Sequence, residues 1–185
     1  MKSIILASKS PRRKDILNML DVKFEIEVSD VDENFDDKLS VYENLKNIAS
    51  KKAEAVFCGN EDKIIISADT IVYLDNEVLL KPKNKEDARR ILSKLSGRTH
   101  SVISGMCVMS NDKVVKECVE TYVTFKKLTK EEIEDYISSD EPYDKAGGYA
   151  IQGVAGKFIS GIKGDYFNVV GLSISVLYDI LKDFR

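Results

Sequence analysis

Histidine is close to absent: the 185 residues contain one, His100. Zinc sites built on two or more histidines are thereby excluded, and any histidine-dependent triad has to use that residue. Cysteine is scarce and odd in number, with Cys58, Cys107 and Cys118 and no C-x-x-C pair. Neither a disulfide framework nor a thiolate zinc site fits that pattern, and a reducing, cytoplasmic compartment suits it best. Proline is limited to Pro11, Pro82 and Pro142, each beside polar or charged residues, so each marks an element boundary. No apolar run approaches the roughly 18 residues that span a bilayer, so no membrane partner is expected. Ile4 to Ala7 is too short for the core of a signal peptide and runs into Lys9, Arg12 and Arg13. A basic excess is missing too: 28 Lys+Arg against 31 Asp+Glu leave a net charge of −3. That balance speaks against a nucleic-acid polymer as partner, but leaves room for a local basic pocket that takes a small phosphorylated ligand. Repeats and low-complexity stretches are absent, and the phosphate-loop pattern G-x-x-x-x-G-K-[ST] does not occur.

What is there is an ordinary globular chain, 43% hydrophobic and 32% charged, which excludes disorder and suits one domain spanning 1–185, with room for two lobes. Ser3–Ala7 reads as a short buried strand. Ser10 then looks like an N-cap with Pro11 at the first helical position. Phe24–Val28 alternates as a half-exposed strand does, and a polar acidic loop, Ser29–Lys38, follows. Ser40–Val56 is an amphipathic helix whose buried face is Val41, Leu45, Ile48, Ala49 and Val56. Lys52 falls in the middle of that face. Ile64–Tyr73 is a long apolar run interrupted by Asp69 and Thr70, with a turn at Asp75–Glu77. Asn84–Leu95 is a second helix, with Gly97 just past its end. Val102–Met109 and Val114–Phe125 read as paired strands. Thr129 to Glu132 is a capping box that opens a helix to about Ser138. Ala146–Gly171 carries seven of the ten glycines and a strand near Phe158–Ile162, and Leu172–Phe184 is the last helix. The order predicts an α/β chain with a mixed, largely antiparallel sheet flanked by helices.

Five features carry chemistry. The loop Ser8-Lys9-Ser10-Pro11-Arg12-Arg13 opens a helix, where free N–H groups and the positive dipole end attract phosphate. Two guanidinium forks there suit phosphate oxygens; the competing reading is an ordinary cap with solvated cations. Asp69 lies inside an apolar run, where a carboxylate is costly without a partner. At a strand end it binds a divalent metal or activates water, and at a strand break it pairs with backbone N–H groups. Lys52 either snorkels out or points into a polar pocket, and Lys81 before Pro82 is a weaker signal of the same kind. Glu33 could join Asp69 as a metal ligand, although by itself it reads as part of a solvated acidic loop. The segment Ala146–Gly153 suggests close backbone approach to a ligand. His100 and the three cysteines read as structural or core residues.

Together these segments resemble the Maf family of nucleoside triphosphate pyrophosphatases, once described as septum-formation proteins. The likeness covers nearly the whole chain. It rests on Leu6 to Arg13, Val31-Asp32-Glu33, Ser67-Ala68-Asp69-Thr70, Lys81-Pro82, Ser96 to His100, Asp144 to Gly153 and Gly164 to Leu172. The departures are small: Ser173 stands where the pattern has a proline, and Lys14-Asp15 varies the first helix. The resemblance implies a fold like inosine triphosphate pyrophosphatases, with two lobes and a central cleft. It implies hydrolysis of a nucleoside triphosphate to monophosphate and pyrophosphate with a divalent cation, Mg²⁺ or Mn²⁺. Asp69 is then the proton acceptor. Ser8, Arg12, Arg13, Lys52 and Lys81 bind substrate, and Glu33 and Asp69 hold the metal. Arg12, Thr70 and Gln152 govern base choice, and the pattern Gly148 to Gly153 looks like the branch acting on dTTP and UTP. A homodimer is compatible with the resemblance. The alternative is a nucleotide-binding regulator of cell division in which hydrolysis is incidental.

Overall fold

The computed structural model describes residues 3–28 and 30–184, so Met1, Lys2, Ser29 and Arg185 lie outside it, and with Ser29 the start of the expected acidic loop. The described chain forms seven strands and six α-helices. They are β1 (Ile4–Leu6), α1 (Pro11–Asn18), β2 (Phe24–Ile26), α2 (Val41–Phe57), β3 (Ile64–Leu74), β4 (Glu77–Leu79) and α3 (Lys85–Leu95), then β5 (Thr99–Met109), β6 (Val114–Phe125), α4 (Lys130–Ile137), β7 (Ile159–Lys163), α5 (Tyr166–Val170) and α6 (Ile174–Lys182). One mixed sheet has the order β2-β1-β3-β5-β6-β7, with β4 paired to β3. β1 runs parallel to β2 and β3, whereas β3–β4 and β6–β7 are antiparallel. Among the described residues no helix is long and apolar enough to cross a membrane.

Two compact units divide the chain. The first comprises Met1–Thr70, Ser104–Val119 and Gly171–Arg185, and the second Ile71–Ile103 and Glu120–Val170. In the first unit, Ile5, Ala7, Ala49, Ala53, Val56, Ile65, Cys107 and Met109 form a buried cluster. Small residues on α2 let its backbone lie close to the strands. At Gly105 a Cβ would stand 2.6 Å from the Leu45 carbonyl oxygen, so α2 and β5 approach too closely for any side chain there. A capping box starts α2: Ser40 Oγ accepts from Glu43 N at 3.2 Å, and Glu43 Oε2 accepts from Ser40 N at 3.0 Å.

In the second unit, Val72, Leu79, Leu92, Leu95, Phe125, Phe158 and Tyr149 belong to one buried cluster. Each such side chain stabilises the fold by about 1.5–3 kcal/mol relative to exposure. The Phe125 and Tyr149 rings meet edge-on with centroids 4.8 Å apart. Asp75 and Asn76 both have positive φ, 53° and 61°. That is the backbone a tight hairpin needs, and it joins β3 to β4.

The structure differs from the sequence reading at several points. β3 is not interrupted: Asp69 and Thr70 are strand residues with the ladder continuing past them. β5 begins at Thr99, three residues earlier than the apolar pattern suggests, because His100 and Ser101 are buried. The short helix α5 lacks a periodic signature and is not expected from the pattern. Val41 is half-buried, and Cys58, at the end of α2, is exposed rather than core. Ser173, in place of proline, is the N-cap of α6, its Oγ accepting from Val176 N at 3.4 Å.

Candidate functional site

Ser8 follows the point where the parallel ladder stops, with Ala7 N donating to Ile66 O at 2.7 Å. Its buried hydroxyl accepts from Ser10 N at 3.3 Å and from Arg13 Nη1 at 3.1 Å. The proline at the first helical position sets the entry angle of α1, whose first turn holds no acidic residue. Two arginines at a positive dipole end are therefore uncompensated from within the helix.

Arg13 is held on three sides by neutral acceptors. Nε donates to Gly171 O at 2.9 Å, Nη1 to Ser8 Oγ, and Nη2 to Thr70 Oγ1 at 3.1 Å. Burial lowers its pKa, opposed by the charges of Asp69 and Glu33, while neighbouring Arg12 pushes the same way as burial. Thr70 Oγ1 also donates to Gly171 O at 3.3 Å and lies 2.8 Å from Ser104 Oγ. Arg12 has no hydrogen-bond or ion-pair partner among the described residues. An oriented guanidinium with neutral partners, a second arginine beside it and helix N–H groups together make a place for an anion.

Asp69 precedes Thr70 on β3. The cost of its charge is met neither at a strand end nor by backbone N–H groups at a break. Lys52 Nζ lies 2.8 Å from Asp69 Oδ1 and 2.8 Å from Glu33 Oε1. Lys52 thus enters a polar pocket instead of snorkelling, and it does so from the stripe that also buries Leu45, Ile48, Ala49 and Val56. The Lys52 and Asp69 side chains are 15% and 18% exposed, against 57% for Glu33. Lys52–Asp69 is therefore the shielded half of the triad and Glu33 the open half.

Two carboxylates converge on the Lys52 ammonium, hard oxygen donors of the kind that divalent cations such as Mg²⁺ take. Such ions take one or two carboxylates and complete their six positions with phosphate oxygens and water. Among the described residues no group of three or more His, Cys, Asp or Glu side chains offers an all-protein cage.

Lys81 and Gln152 belong to the second unit. Both are exposed, and the segments carrying them run together: Gly147 N donates to Leu80 O at 3.2 Å, and Pro82 is buried beside Gly148. Tyr149 anchors the start of the Gln152 loop through its hydroxyl, 2.6 Å from His100 Nε2. His100 is thus structural, as its sequence context suggests. Burial drops its pKa to about 4, so the ring is neutral at neutral pH. Gly171 and Ser104, which hold Arg13 and Thr70 in the first unit, and Glu141, which holds Val154 and Ala155 in the second, are absent from the sequence-derived set.

A family model described as Maf-like protein matches residues 3–184. A dTTP/UTP pyrophosphatase of Desulforamulus reducens is 48% identical over 187 residues, covering 100% of this chain and 97% of its own. One of Clostridium perfringens is 48% identical over 185 residues, with 98% and 96% covered. Among solved structures, the Ham1 protein of Staphylococcus aureus aligns with TM-score 0.53 at 14% identity, over 100% of both chains. A HAM1 protein of Coxiella burnetii aligns with TM-score 0.51 at 14% identity, over 99% of this chain and 100% of its own. At that identity the structural likeness speaks for the fold alone. The family match runs from the third residue almost to the last, and relatives near half identity span the full length, so this chain belongs to the Maf family.

Proposed function

We propose that this chain hydrolyses nucleoside triphosphates, dTTP and UTP foremost, to the monophosphate and pyrophosphate. One observation carries the reading. Two contacts meet at adjacent residues of β3: Arg13 of α1 donates to Thr70, and Lys52 of α2 donates to the neighbouring carboxylate of Asp69. That adjacency supports a reading in which anion binding and proton transfer occur side by side. The full-length dTTP/UTP pyrophosphatase relatives support the same reaction and the same bases.

In this reading Asp69 orients a water and accepts its proton as the oxygen attacks the α-phosphorus. The bond from that phosphorus to the bridging oxygen breaks, and pyrophosphate leaves. Arg12, Arg13, Lys52, Lys81 and the α1 N-terminus stabilise the departing charge, and Ser8 keeps Arg13 aimed. Glu33 and Asp69 would hold a divalent cation, Mg²⁺ or Mn²⁺, which would supply neutralisation of the charge that develops on the phosphates. Gln152 reads the base. Thymine and uracil present an acceptor and then a donor at O4 and N3–H, and one amide offers the matching donor and acceptor. Three free thiols suit a reducing, cytoplasmic location, and a homodimer remains part of the proposal, checked by light scattering.

The deciding experiment is pyrophosphate release from dTTP, UTP, CTP, GTP, ITP and 7-methyl-GTP with Mg²⁺ or Mn²⁺ and an EDTA control. Metal-dependent release from dTTP and UTP, with monophosphate as co-product, is the expected result. Tight nucleotide binding with no release overturns the reading in favour of a binding regulator.

A further inference from the structure

The loop that presents Gln152 is tied down at its far end by one carboxylate. Glu141 Oε2 accepts from Val154 N at 3.0 Å and Oε1 from Ala155 N at 3.3 Å. These N–H groups open a short 3₁₀ turn, Val154–Phe158, that begins two residues after Gln152. Glu141 is itself oriented. The buried Tyr136 of α4 donates its hydroxyl to Oε1 at 3.2 Å and also lies 3.1 Å from Gly148 O, at the near end of the same loop. Lys145 Nζ donates to the Glu141 carbonyl at 2.9 Å. Residue 153 completes the arrangement. A Cβ on Gly153 would lie 2.1 Å from Glu141 Oε1, although its φ of −99° and ψ of −166° suit any residue. Glycine is needed there for the carboxylate, not for the backbone.

We propose that Glu141 is a positioning residue for base recognition: by clamping Val154 and Ala155, with Gly153 leaving room for its carboxylate, it sets where Gln152 stands. The inference rests on the reading of Gln152 as the base reader. Nothing in it involves the phosphate-binding residues, which gives a sharp test. Base-free tripolyphosphate reports on the phosphate region alone, and UTP reports on both.

The expected result for Glu141→Gln is a KM for UTP raised about tenfold, the loss of one or two well-aligned hydrogen bonds. kcat and inhibition by tripolyphosphate stay close to the unmodified protein's. Gly153→Ala pushes on the same contact from the other side and reproduces the effect, which keeps the test available if Glu141→Gln folds poorly. Gln152→Ala alone raises KM similarly, and adding Glu141→Gln to it raises KM no further, because the two act through one contact. A KM for UTP unmoved by both Glu141→Gln and Gly153→Ala, with Gln152→Ala still effective, overturns the inference and leaves Gln152 as reader. A parallel loss of UTP and tripolyphosphate binding also overturns it, since that is what general loosening does. A KM indifferent to Gln152→Ala overturns the base-reading role and this inference with it.

Discussion

Lys52 Nζ stands 2.8 Å from Asp69 Oδ1, a pair formed by the one lysine on the buried stripe of α2 and the one carboxylate inside the apolar run of β3. Each charge alone is out of place, because shielding it from water without a counter-charge costs several kcal/mol. Together each accounts for the other's position. Glu33 reaches the same ammonium from the exposed side. These three groups carry one more negative than positive charge between them, and the Arg13 guanidinium also feels both carboxylates.

Asp69→Asn keeps the shape of the side chain and removes the proton acceptor. Pyrophosphate release should fall by about 10²–10⁴-fold. Nucleotide binding measured by calorimetry should stay within a few-fold. Turnover near the unmodified level would remove Asp69 from the role of base.

Lys52→Met should act in opposite directions on two measurements. The ammonium competes for both carboxylates, so Mn²⁺ titrated without nucleotide should bind about fivefold more tightly once it is gone, a partly exposed pair being worth up to about 1 kcal/mol. Pyrophosphate release should nevertheless drop, because a phosphate-facing cation is lost. Weakened Mn²⁺ binding would show that Lys52 organises the carboxylates rather than competing for them.

Arg13→Lys keeps the charge and loses the fork. A single ammonium cannot meet Gly171 O, Ser8 Oγ and Thr70 Oγ1 in their three directions. Stability in urea should fall by about 1–2 kcal/mol and KM for UTP should rise at least about tenfold. An unchanged KM would place the anion away from Arg13.

Burial holds His100 neutral, with its pKa lowered from 6.5 to about 4. Below pH 6.5 the unfolded chain takes up a proton that the folded chain refuses until about pH 4. The contribution to stability is full above that window and is lost as pH falls through it, by about 3 kcal/mol. His100→Gln removes the titration, at the cost of the Tyr149 contact. The stability gap between the two proteins should therefore be wide at about pH 7.5 and narrower at about pH 4.5 in urea unfolding. A gap independent of pH would show that His100 protonates freely in the fold.

Much of the fold is legible before any coordinates. The capping box at Thr129, the turn at Asp75–Asn76 and the stripes of α2 and α3 stand within a few residues of where local chemistry puts them, whereas the box at Ser40 is seen only in the structure. α5 is too short to show a period, and the start of β5 is hidden because its first residues are buried polar ones. The site divides the same way. Asp69 and Lys52 announce themselves by being costly, since a charge in an apolar pattern demands an explanation. Ser104, Gly171 and Glu141 do not, because a serine, a glycine and a half-buried glutamate are ordinary in sequence.

By itself the sequence determined most of the elements, the family likeness and which residues are candidates for chemistry, for these depend on side-chain type and short-range spacing. Tertiary structure alone decided the partnerships. Lys52 meets Asp69 across 17 positions, Arg13 meets Thr70 across 57 and Gly171 across 158. Contacts that distant follow from how helix and strand pack against each other, and only packing states which acceptor a given donor will find.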